Sequence, residues 1–100
     1  MSFEGGSLNA SLSAAVGDDP ALIFDLRRAF LESADRQIDL LERAGDDSAW
    51  QLALFRLKGL CGSFGVVQMI AIAEEAQASP AGDARTLRRL RSALSSLVVD

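Results

Sequence analysis

The residues of this chain with the most chemical potential stand in one short run, Leu54 to Gly65, LFRLKGLCGSFG. It holds a thiol at Cys61, a hydroxyl at Ser63 and an amine at Lys58. A thiol or hydroxyl becomes a nucleophile when a base stands beside it, and imidazole is the commonest base. The chain contains no histidine. Ser-His and Cys-His pairs are therefore excluded, together with phosphohistidine chemistry and the commonest metal ligand. No catalytic residue, metal site or cofactor is expected, and the run points to a binding module before an enzyme.

Its most unusual member is a phenylalanine. On a helical wheel of about 100° per residue, Trp50, Ala53, Leu54, Leu57, Cys61 and Phe64 fall within one arc of roughly 100°, with Leu60 just off its edge. That arc is the expected core face, and it makes Cys61 a buried, inert thiol. Phe55 lies about 150° from the centre of the arc and points outward. Its wheel neighbours are Gln51, Leu52, Lys58, Gly59 and Gly62. A glycine inside a helix costs about 1 kcal/mol relative to alanine. An outward one returns no packing unless another backbone or a ligand comes close. Leu52 and Phe55, three residues apart, form an apolar ridge beside two bare glycines, with Lys58 at the edge. An apolar patch with a polar rim is a common form of docking site. The candidate partner-binding set is therefore Gln51, Leu52, Phe55, Lys58, Gly59 and Gly62. The same spacing also allows Leu52 and Phe55 to tuck against another helix of the chain.

The elements that must position this face are helical. A first short helix is expected from Ser7, as its cap, to Gly17, with Leu8, Leu12, Ala15 and Val16 as its apolar edge and residues 1–6 frayed. Asp18-Asp19-Pro20 opens a second. In it Ile23, Leu26, Phe30, Ala34, Ile38 and Leu41 recur at helical spacing, flanked by Glu32–Arg36 and Asp39–Arg43 as exposed pairs. Phe24 and Leu31 fall off that stripe and are expected to pack under the first helix. Gly45-Asp46-Asp47 breaks the second helix, and Ser48 with Gln51 reads as a capping box for the third. Gly65 marks a turn. A fourth helix from about Val66 to Gln77, apolar on most of its surface, is expected to be well buried. After the Ser79-Pro80-Ala81-Gly82 turn, Asp83 caps a last helix whose seam is Leu87, Leu90, Leu94 and Leu97. Short loops make neighbouring helices antiparallel. The expected fold is all-α, a single antiparallel four-helix bundle over residues 1–100 with a short extra N-terminal helix.

Composition agrees with one helical domain. The chain has 100 residues, 49% of them hydrophobic, and only two prolines. A single cysteine excludes an intrachain disulfide and suits a reducing cytosol. No basic region followed by an apolar run opens the sequence, and no apolar window approaches the ~20 residues of a membrane span, so a cytoplasmic location and no membrane partner are expected. The net charge of −4 argues against nucleic acid. Arg85, Arg88, Arg89 and Arg91 on the last helix carry no aromatic interleaving and read as a solvated face.

The run FRLKGLCGSFG resembles the signature of histidine-containing phosphotransfer (HPt) domains. That signature is His-x-Leu-Lys-Gly, two small residues, two variable ones, an apolar residue and Gly. Leu57, Lys58, Gly59, Cys61, Phe64 and Gly65 fit it in register, and the helix pattern from Asp19 to Leu97 fits as well. The resemblance implies the fold and a surface that meets the receiver domain of a response regulator, or a histidine kinase, in a two-component phosphorelay. In the family the glycine leaves room for the receiver's loops and the lysine balances phosphate charge; Gly59 and Lys58 keep those places. Two positions depart. Phe55 stands where the family has its phosphorylated histidine, and Leu60 where it has a small residue. A phenyl ring has no lone pair to accept a phosphoryl group, so the resemblance implies docking without phosphotransfer. Two alternatives stay open: a homodimer through the Leu52–Phe55 ridge with a scaffold role, and transfer through an Asp, Cys61 or Ser63. None of those nucleophiles occupies the outward position of Phe55.

Overall fold

The computed structural model describes the backbone of residues 4–99 and the side chains of residues 8–98. The chain forms five helices: α1 (Glu4–Val16), α2 (Pro20–Arg43), α3 (Asp47–Phe64), α4 (Val67–Ala76) and α5 (Ala84–Val99). Among the described residues there is no strand. The protein is all-α.

Local chemistry sets most boundaries. The carboxylate of Asp19 accepts from the N–H groups of Ala21 at 3.1 Å and Leu22 at 3.3 Å, with Pro20 in the first turn. Asp83 accepts from the Thr86 N–H at 3.0 Å and its hydroxyl at 2.7 Å, opening α5. Each carboxylate satisfies donors that a helix N-terminus otherwise leaves orphaned. At the end of α3, Gly65 takes φ +72°, and the N–H of Val66 reaches back to the Cys61 carbonyl at 3.0 Å. This is the Schellman stop. A Cβ on Gly65 would also sit 2.7 Å from the Ser11 hydroxyl of α1, so glycine is required both by the backbone and by the neighbouring helix.

Two boundary expectations and one ion pair are corrected. α1 begins at Glu4, so Ser7 lies inside it and does not cap it; residues 1–3, expected to be frayed, lie outside the described residues. The Ser48–Gln51 capping box does not form. Asp46, extended at φ −152° and ψ 172°, accepts from the Ala49 N–H at 2.8 Å, and a charged acceptor at the positive helix end displaces the serine. Glu32 pairs with Arg28 at 3.1 Å instead of Arg36, whose guanidinium donates to Ser33.

α2 packs on α3 and α5, and α4 packs on the same two helices, so these four close a ring; α1 lies against α2 and α5. The core is filled by Phe30, Ala34, Ile38 and Leu41 of α2, by Trp50, Leu54, Leu57 and Cys61 of α3, and by Leu90, Leu94 and Leu97 of α5. Leu8 and Leu12 of α1 are also buried. Ile23, Leu26 and Leu87 are partly buried at the ends of their stripes. The rings of Phe30 and Phe64 lie 4.9 Å apart at 44°, a tilted pair that fastens α2 to the C-terminal end of α3.

Two expectations about burial are also corrected. α4 is covered on one side: Met69, Ile72, Ala73 and Ala76 are buried, but Val67 is 66% exposed, because among the described residues α4 packs chiefly against α3 and α5. Phe24 is 62% exposed. It borders a groove between α1 and α2 whose opposite wall is Asn9, Ala10 and Ser13, side chains too small to cover a ring. Leu31 does pack against the core.

Candidate partner-docking face on the third helix

The core arc of α3 turns inward as its spacing requires, and what lies opposite is thereby forced outward. Phe55 is 72% exposed and Leu52 49% exposed. Phe55 stands clear of the other helices, while Leu52, half covered, borders the groove between α2 and α3. Gly59 and Gly62 are exposed, and a Cβ built on either meets nothing within 4 Å. Leu52, Phe55, Gly59 and Gly62 thus share one open face of a rigid helix, the first two as a ridge and the last two as a flat beyond it.

Lys58 and Gln51 occupy the edge toward α4. The Lys58 ammonium lies 3.8 Å from the Glu74 carboxylate and is turned aside from the ridge. Gln51 donates its side-chain amide to the Gln77 carbonyl at 2.9 Å and to Asp47 at 3.4 Å. Its first task is therefore to tie the start of α3 to the end of α4. Next to it, the Trp50 indole N–H donates to the Ala76 carbonyl at 3.1 Å, which also accepts from the Ser79 N–H at 3.0 Å, so two side chains of α3 reach carbonyls at the end of α4.

Cys61 and Ser63, the other nucleophiles of this run, lie away from the open face or are bonded within the helix. The Cys61 thiol is fully buried. The Ser63 hydroxyl donates to the Gly59 carbonyl at 3.1 Å, a back-bond within its own helix.

The edge toward α2 holds residues that sequence spacing did not single out. Leu40, 42% exposed, faces Leu52 across the α2–α3 groove, with Arg43 and Arg56 at its sides. Leu40 precedes the buried Leu41 and lies off the α2 stripe, as Phe24 does, and that off-stripe leucine is the signal that could have found it.

Two of the four arginines of α5, Arg89 and Arg91, are engaged in ion pairs. Arg91 reaches Glu42 at 2.9 Å and Asp35 at 2.5 Å, both on α2, and Arg89 reaches Glu75 of α4 at 2.7 Å. Hydrogen bonding to Arg91 holds the Glu42 carboxyl below its ordinary value, and Arg89 does the same for Glu75. Among the described residues no helix is long and apolar enough to cross a membrane. Comparison with family models, curated proteins and solved structures finds no match to this chain.

Proposed function

We propose that this chain is an HPt-like signalling module: an antiparallel four-helix bundle of α2–α5, flanked by α1, that docks on a receiver domain or histidine kinase in a cytoplasmic two-component phosphorelay without carrying phosphate. The observation that carries the reading is the placement of Phe55. It is the most exposed large hydrophobic side chain described, it stands at the position that the signature reserves for histidine, and open glycines follow it one and two turns later. A buried Phe55 would have made the resemblance a matter of core packing. Burial of this ring in a partner's apolar recess contributes about 1.5–3 kcal/mol.

The second reading is a homodimer through the same exposed Leu52–Phe55 ridge. The first reading is tested by titrating the purified chain with isolated receiver and kinase domains of its source organism, alongside incubation with radiolabelled phosphorylated receivers. Saturable binding without stoichiometric label on the chain is expected. Absence of any receiver or kinase binding, together with concentration-dependent dimers in sedimentation, would replace it with the scaffold reading.

A further inference from the structure

The groove between α2 and α3 is a second, adjoining feature that the signature does not contain. It encloses about 300 Å³, and its walls are Leu40, Ala44, Ala49, Leu52 and Ala53. These side chains are aliphatic, so what enters between them meets mostly carbon. Leu40 and Leu52 remain substantially exposed at its lips, and Phe55 continues the apolar strip one turn along α3. Arg43 and Arg56 stand at its mouth, and no carboxylate lines it. Arg56 makes no ion pair among the described residues. Arg43 pairs only with Asp39 in an exposed i,i+4 contact, of a kind worth little to stability, so it is available to a second carboxylate. In a chain of net charge −4 this is a locally basic groove.

We propose that this groove seats an acidic amphipathic helix of the protein partner. One large apolar side chain enters between Leu40 and Leu52, and carboxylates to either side meet Arg43 and Arg56. The inference rests on the docking-face reading and extends that face from α3 onto α2. Two observations select this occupant. Two neighbouring helices leave between them the kind of groove into which a third helix packs its ridge of side chains. The arginines at the mouth complement acids, and guanidinium meets carboxylate in two parallel hydrogen bonds. The groove makes α2 the determinant of which partner is chosen, while Phe55 supplies anchorage.

The test is a displayed library of helical peptides selected on the immobilised full chain and counter-selected on Leu40→Asp. Enriched peptides are expected to carry a large apolar residue with Asp or Glu three or four positions away. Their affinity, read by fluorescence anisotropy, is expected to fall at least about tenfold in Leu40→Asp and in Arg56→Glu, and to fall with added salt. Both positions are exposed, and thermal melts establish that the variants are folded; Leu52→Ser replaces Leu40→Asp if that variant is not. No enrichment, enrichment of basic sequences, affinity within twofold of wild type in both variants, or equal binding of single-stranded oligothymidine would each overturn the proposal. Receiver and kinase binding by the same variants separates it from its parent. A receiver that Phe55→Asp releases but Leu40→Asp and Arg56→Glu retain leaves the docking face standing and removes the groove from it. Selected acidic peptides on a chain that binds no receiver or kinase keep the groove and remove the phosphorelay reading.

Discussion

The indole N–H of Trp50 donates to the Ala76 carbonyl at 3.1 Å, joining the first turns of α3 to the end of α4 inside the core. This bond fixes the start of the helix that carries Phe55. Trp50→Phe keeps an aromatic ring but removes a buried hydrogen bond and part of the indole's packing, a loss of about 1–3 kcal/mol, although the Ala76 carbonyl still accepts from the Ser79 N–H at 3.0 Å. Urea unfolding measures it. The exposed neighbour Gln51→Ala, which loses its bond to Gln77, is expected to cost less, about 0.5–1 kcal/mol. Equal costs would mean that burial does not govern these two bonds.

The two sides of α3 give opposite results on truncation. Leu57 is fully buried and Leu52 is half exposed. Leu57→Ala is expected to destabilise by about 2–5 kcal/mol through lost burial and a cavity. Leu52→Ala is expected to stay within about 0.5 kcal/mol of wild type. Paired denaturant titrations check this, and a large effect at Leu52 would return the ridge to the core.

The glycines separate folding from docking. Gly59→Ala and Gly62→Ala meet open space and restore helix propensity, so each is expected to stabilise by about 0.5–1 kcal/mol. Each is also expected to weaken partner binding, because the face loses its flat. Gly65→Ala is expected to destabilise, since φ is +72° and Ser11 is in the way. Thermal midpoints give the three signs at once; destabilisation at Gly59 and Gly62 would contradict the open face.

The ion pairs at α5 predict a response to acid. Glu42, hydrogen-bonded to Arg91, titrates below its ordinary 4.5 in the folded chain, and Glu75, bonded to Arg89, does likewise. Asp83 is held below its ordinary 3.8 by the Thr86 hydroxyl and N–H. A carboxyl whose folded pKa is depressed adds stability above its unfolded pKa, and that stability is lost as pH falls through the folded value. The window therefore opens near pH 4.5 and extends downward. Arg91→Met is expected to melt below wild type at neutral pH, with the gap closing as the acid limb is crossed. A gap that stays constant into strong acid would show that Arg91 acts through packing alone.

Much of this was legible in the sequence. The periodicity of α2, α3 and α5 placed Phe30, Trp50, Leu57 and Leu90 in the core, and Asp19, Gly65 and Asp83 marked helix ends, because each signal is local. The outward turn of Phe55 follows from the same wheel. What spacing does not contain is the neighbour across a groove. Leu40 meets Leu52 only once α2 and α3 pack, and Gln51 reaches Gln77 only because α4 ends beside it. Ser48 lost its capping role to Asp46 because two acceptors competed for one helix end and the charged one prevailed. Phe24 stayed uncovered because α1 turns Leu8 and Leu12 inward and leaves small side chains opposite the ring.

The central claim is that Phe55 is a docking knob outside the core, and the affinity of Phe55→Asp for a receiver or kinase domain that binds the wild-type chain tests it most directly. A carboxylate there would be desolvated against an apolar recess near the receiver's acidic pocket. Binding is expected to weaken by about 2 kcal/mol or more, roughly thirtyfold, while the melting temperature stays near that of wild type. Undiminished binding by a folded Phe55→Asp chain, or unfolding of that variant by several kcal/mol, would contradict the claim.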